Sequence, residues 1–294
     1  MNVIPLSRRP PFVGEDVSRK TRELLQQGSA TIEMPKGFLA KHVPIILDGM
    51  RRMTDDPELH KVFAATVIGH DEAGNDYDAG LWHKIGDSGD IKHFFHDWSI
   101  DHPLREHWMQ QPSFEAFFAS CEAVGALSKE IILSFARAID ELDRSKGNYC
   151  GLAEAVTRGS WVLRCLRYPP RMDALPDAKV HFDRAFGTVH LYGSDQGLMI
   201  FDREYHPHLA HSETSFNLAN VMLGKKFAAI TNGRYGLGTL HGVRRKDRTS
   251  EKNIDDRSVL VVFIHGVLTT KQAEILSGFE SNFESVARTY ANSI

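Results

Sequence analysis

The chain has 294 residues, a formal net charge of −3 and 25% charged residues, enough length for a sizeable core in one large domain or two small ones. Its near-neutral balance lacks the concentrated basic surface that general nucleic-acid binding needs, and the run Arg244 to Arg248, interrupted by Asp247, reads as a solvated loop. Cys121, Cys150 and Cys165 are odd in number and irregularly spaced, which suits reduced thiols of a cytoplasmic protein rather than a disulfide frame or a zinc site. No stretch approaches the length that spans a bilayer, and residues 1–11 carry no apolar signal core.

In chain order, Ile4-Pro5-Leu6 reads as a short opening strand. Phe38, Val43, Ile46 and Met50 show helical spacing over residues 35–52. Residues 92–109 crowd His93, His96, Trp98, His102, His107 and Trp108, which suits either a pocket lining or packing against a core. The clearest long helix covers 113–142, with Phe117, Cys121, Val124, Leu127, Ile131, Leu133, Ala136 and Ile139 at three- and four-residue steps. The cluster from Asp143 to Asn148 stops it. Short apolar runs separated by Gly, Pro, Asn and Asp then predict strands. His206, His208 and His211 surround Pro207 and lack any cysteine, so they read as surface or lid histidines rather than a metal site. Residues 270–292 return to helix through Ala273, Ile275, Leu276, Phe279 and Phe283. The pattern predicts an α+β, mainly β chain without internal repeats. A helical region, 1–155, packs on a strand-rich core, 156–294, that ends in a helix, and the two form a single catalytic unit.

The chemistry centres on Val180-His181-Phe182-Asp183 and on His241, which follows Gly238-Thr239-Leu240. On a strand, residues i and i+2 share a face, so His181 and Asp183 reach one ion together. A histidine from a distant strand completes a triangular face of an octahedron, the 2-His-1-carboxylate arrangement of non-haem Fe(II) oxygenases. A lone His-x-Asp also arises by chance, and a buried histidine is commonly a satisfied core residue. The surrounding residues decide between these readings.

Those residues resemble the isopenicillin N synthase-like branch of the iron- and 2-oxoglutarate-dependent dioxygenases. Leu166-Arg167-Tyr168-Pro169-Pro170 is similar to the family's strand ending in Tyr-Pro, and His181 to Leu191 to its His-x-Asp followed by a small residue, Thr and apolar positions. Gln196 to Ile200 resembles the next strand, and Ile230-Thr231-Asn232-Gly233-Arg234-Tyr235 the family's Thr-Asn-Gly-Lys-Phe turn. Asp256-Arg257-Ser258 leads into the last core strand. The likeness is close over about residues 160–268 and loose before them.

The resemblance implies a double-stranded β-helix, or jelly-roll, that encloses a site between two sheets. It implies Fe(II) held by His181, Asp183 and His241, with 2-oxoglutarate and O₂ as co-substrates. A small organic molecule would be hydroxylated, desaturated or cyclised as succinate and CO₂ are released. Arg257 is the implied partner of the distal 2-oxoglutarate carboxylate, because a guanidinium fork meets both carboxylate oxygens. Tyr168 sits where the family often places a tyrosine beside a carboxylate. Two departures stand out: Val259 replaces the Ser usual two residues after the Arg, and the gap from His241 to Arg257 exceeds the family's. Arg248-Thr249-Ser250 keeps the literal Arg-x-Ser spacing, but poor strand material follows it, so Arg257 is the better choice. Arg164 and Arg167 are expected on the face opposite Leu166 and Tyr168 and receive no role. The alternatives are a 2-oxoglutarate-independent oxidase of the same fold and a non-redox, cupin-like ligand-binding protein. No nucleic-acid or membrane partner is implied, and the substrate and oligomeric state stay open.

Overall fold

The computed structural model describes residues 15–70, 76–85, 91–100, 102–168, 178–210, 212–244, 256–291 and 293. The strands are β1 (Ser29–Glu33), β2 (Thr66–His70), β3 (Asp76–Ile85), β4 (Ile91–Trp98), β5 (Ser160–Tyr168), β6 (Ala178–His181), β7 (Gly187–Gly193), β8 (Leu198–Phe201), β9 (Pro207–Leu209), β10 (Leu218–Leu223), β11 (His241–Val243) and β12 (Arg257–His265). They form an eight-stranded sheet ordered β1-β10-β7-β12-β5-β4-β3-β2 and a four-stranded sheet ordered β6-β11-β8-β9. Pairing between neighbouring strands is antiparallel throughout. From β5 onward the chain passes back and forth between the two sheets.

Helices flank the sheets: α1 (Glu15–Gln27), α2 (Phe38–Asp55), α3 (Pro57–Val62), α4 (Pro103–Met109), α5 (Glu115–Arg144), α6 (Leu152–Arg158), α7 (Lys225–Ile230) and α8 (Thr270–Thr289). The helices expected at 35–52, 113–142 and 270–292 correspond to α2, α5 and α8. The opening strand expected at Ile4 to Leu6 lies outside the described residues.

The front of the chain departs from expectation. The described residues of 1–155 contribute four strands, so they extend the large sheet as well as packing helices on it. The reason is visible in β4, where Phe94, Phe95 and His96 are consecutively buried. A strand covered on both faces loses the alternation by which a strand is recognised.

Helix α5 buries Cys121, Val124, Ile131, Phe135 and Ile139 in the core shared with Leu163 and Cys165 of β5, Val189 and Leu191 of β7, and Leu260 and Val262 of β12. Gly125 lets the helix approach closely, because a Cβ there would lie 2.5 Å from the Trp161 ring. The helix has Glu115 in its first turn and Arg144 in its last, both favourable to the helix dipole. On the other side of the molecule, α8 begins with a Thr269/Gln272 capping box. Its Phe283 packs with Val180, Phe182, Phe201 and Leu240, which back the small sheet. Between these layers Leu198 and Ile200 of the small sheet meet Met222 of the large one.

Candidate metal centre

Alternation sends Val180, Phe182 and Leu240 toward α8 and leaves His181 and His241 on the inner side of the small sheet. The two histidines are cross-strand partners of β6 and β11, with ring centroids 4.4 Å apart. Strand β6 ends at His181, so Asp183 sits in the following turn rather than on the strand expected of it. The turn is pinned by Lys225 N–H donating to the Asp183 carbonyl. His181, Asp183 and His241 nevertheless offer ligand atoms that all lie within 4.8 Å of one another. Asp183 Oδ1 is 3.5 Å from His181 Nε2, and its Oδ2 is 3.5 Å from His241 Nε2.

Neighbouring groups fix the donor atoms. His181 Nδ1 donates to the Lys179 carbonyl at 2.6 Å, and His241 Nδ1 to the Thr239 carbonyl at 3.1 Å. Each Nε2 therefore presents its lone pair toward the centre, as a ligating imidazole requires. Thr188 on β7 donates to Asp183 Oδ2 at 2.6 Å. Burial alone would raise the Asp183 carboxyl, but His241, His181 and the Thr188 hydroxyl hold it well below the usual carboxylate range. Burial also lowers His241, against the pull of Asp183. The group thus has neutral imidazole at His241 and an ionised carboxylate at neutral pH, a donor set that fits Fe(II).

Arg257, 2% exposed, opens β12 opposite Tyr168 of β5, and its guanidinium carbon lies 5.7 Å from the centre of the Tyr168 ring. Arg257 Nη2 donates to Glu213 Oε1. Glu213, fully buried, also accepts from the N–H groups of Gly197 and Leu198 at 2.7 and 2.8 Å through Oε2. Gly193 makes room for this carboxylate, since a Cβ there would lie 2.4 Å from Oε1. Burial pushes Glu213 upward, with Arg257 opposing. Arg257 Nε and Nη1, and both ring nitrogens of His190, are buried without hydrogen-bond partners among the described residues. His190 is driven down to about 3 chiefly by burial and then by the nearby Arg257 charge, so its ring is neutral. Orphaned donors beside the metal cluster suit a molecule rich in oxygen acceptors, as 2-oxoglutarate is.

Val259 falls on the Arg257 face, buried against Leu166 and Tyr168, whereas alternation gives Ser258 the opposite face, and its backbone N–H donates to Ser194 Oγ at 2.9 Å. Arg248 and His211 lie outside the described residues. His206 is exposed, and Pro207–Leu209 pair with β8. His96 faces the site region, whereas Trp98 and Trp108 pack in the core. Arg167 points away, to Asp55 and Asp256. Arg164 corrects the expectation: it shares its parity with Leu166 and Tyr168 and lies on their face, against Phe94 and Phe263. Glu213 and His190 were not foreseen. His190 stood within the His181–Leu191 motif, but Glu213 follows Ala210-His211-Ser212 in a stretch that reads as loop.

No family model matches the chain, and no curated protein matches its sequence. Solved structures do. A protein assigned as an oxygenase from Shewanella oneidensis superposes with a TM-score of 0.66 at 16% identity, over 92% of this chain and 96% of that one. A full-length Neurospora crassa protein, solved in complex with alpha-KG and 5-formyluracil, gives 0.65 at 18% identity, over 86% and 78%. A dioxygenase for auxin oxidation from Arabidopsis thaliana, in complex with 2-oxoglutarate, gives 0.62 at 13% identity, over 87% and 91%. The fold of this chain is the fold of 2-oxoglutarate-dependent iron oxygenases.

Proposed function

We propose that the chain is an Fe(II)- and 2-oxoglutarate-dependent dioxygenase that hydroxylates, desaturates or cyclises a small organic molecule and releases succinate and CO₂. The observation that carries this reading is the inward His181/Asp183/His241 cluster beside the orphaned donors of Arg257 and His190. Iron, when bound, supplies the oxygen chemistry. His181, Asp183 and His241 hold it, and Thr188 keeps the Asp183 carboxylate oriented. Arg257 receives the distal carboxylate of 2-oxoglutarate, with Tyr168 as the wall beside it. The crossing of β5 to β12 between two four-stranded sets supports a jelly-roll, with β1–β4 as an extension of one sheet. We take residues 1–155 and 156–294 as one catalytic unit on this basis. Small-molecule substrates also suit the neighbours, one of which was solved with thymine.

A second reading has its own support. Glu213 already neutralises Arg257, and Val259 stands where a hydroxyl is usual, which favours an Fe(II) oxidase that draws all its electrons from substrate. The test is titration of 2-oxoglutarate into the anaerobic Fe(II) protein, following the visible absorption of the complex and competition by succinate. Saturable absorption that Arg257→Ala weakens supports the dioxygenase. Iron binding without any response to 2-oxoglutarate favours the oxidase.

A further inference from the structure

Arg164 occupies an unusual position for a guanidinium. It is half-buried on the inner face of β5, with its guanidinium carbon 5.5 Å from the Phe94 ring centre and 4.8 Å from that of Phe263. Its Nε donates to His96 Nε2 at 2.6 Å. The His96 ring is set for this, because its Nδ1 donates to the Asp78 carbonyl at 3.0 Å and leaves Nε2 as the acceptor. Burial and the Arg164 charge keep that ring neutral, so it orients the guanidinium without neutralising it. Among the described residues, neither Nη1 nor Nη2 of Arg164 has a hydrogen-bond or ion-pair partner. The acidic groups that act on Arg164 through space are Asp183, which belongs to the metal cluster, the Tyr168 phenol and Asp78, while burial works against its charge.

Two N–H groups on each free nitrogen form the end of the fork that meets both oxygens of a carboxylate. Holding such a charge between aromatic rings without a direct ion pair is costly, and an anionic ligand relieves the cost. The position relative to the metal cluster is also suitable. Arg164 pairs with Val261 of β12, and Val261 with His190 of β7, two residues from the Thr188 that holds Asp183. Two strand spacings are about 10 Å. The wall extends to Trp82, stacked on Phe94 at 6.3 Å, whose buried indole N–H has no hydrogen-bond partner among the described residues.

We infer that Arg164 is the substrate-anchoring residue, and that the substrate is a planar, largely apolar carboxylate whose acid group docks on Arg164 while its body lies along Phe94 and Phe263 toward the metal cluster. The inference rests on the proposed oxygenase reading for what happens at the metal, but its recognition element is separate from Arg257 and from the three metal ligands.

The experiment measures binding of benzoate, 2-naphthoate and indole-2-carboxylate, and of their carboxamides, to wild type and to Arg164→Gln and Arg164→Lys. Calorimetry and tryptophan fluorescence report binding, first to the metal-free protein and then to the anaerobic Fe(II)–2-oxoglutarate form. At least one carboxylate is expected to bind wild type more tightly than its amide. Arg164→Gln should weaken that carboxylate by about ten- to a hundredfold, as expected for a lost charge-assisted hydrogen bond, and leave the amide unchanged. Arg164→Lys should recover part of the loss, and both variants should keep wild-type thermal unfolding and 2-oxoglutarate affinity. Equal binding of acids and amides, binding of neither, or equal loss of both in Arg164→Gln overturns the inference. So does a loss confined to 2-oxoglutarate, which would make Arg164 the co-substrate anchor. If both variants unfold, Phe263→Ala must weaken the carboxylate in a folded protein, or the inference falls. Carboxylate selectivity without any response to iron or 2-oxoglutarate would refute the oxygenase reading and leave the anion site standing.

Discussion

Strands β5, β7 and β12 serve two different environments, one on each face. Toward α5 they present Leu163, Cys165, Val189, Leu191, Leu260 and Val262, buried in one apolar cluster. Toward the small sheet the same strands present Arg164, Thr188, His190 and Arg257, polar groups held in place by Phe94, Leu166 and Val261 around them. Successive residues therefore alternate between holding the sheet and equipping the site. Strand periodicity is what separates the two duties, and a one-residue slip would exchange them. The first face tolerates apolar exchange that conserves volume, whereas the second depends on individual atoms.

The largest effect is expected on the site face, at the metal cluster. Asp183→Ala should abolish stoichiometric iron binding, measured by elemental analysis, while thermal unfolding stays near wild type, because the side chain serves the site and not the α5 face. Full iron occupancy in that variant would refute the ligand assignment. Next comes Arg257→Ala, which leaves a bound dicarboxylate without its partner and Glu213 with only the Gly197 and Leu198 N–H groups. A broken buried pair costs about 3–5 kcal/mol, so 2-oxoglutarate affinity should fall by roughly two to three and a half decades. Arg257→Lys should restore only part, since an ammonium does not reproduce the planar fork.

On the other face, Leu260→Ala should do the converse. Truncating a fully buried leucine costs about 2–5 kcal/mol in denaturant unfolding, with the iron content of the folded protein unchanged. The smallest effect comes from a polar exception on the α5 side. Asp97 of β4 is fully buried, paired with Arg105 at 3.0 Å, and burial raises its carboxyl from 3.8 to about 6 against the pull of Arg105. The folded state then keeps its proton to higher pH than the unfolded chain, so stability falls as pH rises from about 4 to about 6. The loss should not exceed about 3 kcal/mol. Asp97→Asn should flatten that slope in urea titrations across the window. An unchanged slope would show that Asp97 does not carry it.

The elements that chemistry writes into short segments were legible in the sequence. His181 and Asp183 stand two residues apart, His241 follows its glycine turn, and the helix of α5 announces itself by spacing. What escaped depends on which strand lies beside which. Glu213 matters because Gly193 leaves it room and Arg257 meets it 44 residues later in the chain. Arg164 becomes informative only beside Phe94 and Phe263, which reach it from β4 and β12. Strand β4, and with it the extension of the large sheet, escaped for a related reason, since a strand covered on both faces carries no alternating signal.

The edge of the large sheet has a consequence for how the chain is made. Ser29 to Glu33 pair with Met222 to Leu218, so the first described strand adds to one that is synthesised about 190 residues later. At roughly 5–20 residues per second, a nascent chain keeps that segment waiting for some ten to forty seconds. Until then Ala30 and Ile32, both buried in the finished core, have no sheet to join. Closure of this pairing is a late, long-range event, and long-range pairing slows folding. The amphipathic α1, which precedes β1 and packs against it through Leu24, is therefore the local partner that can shield those residues during the interval.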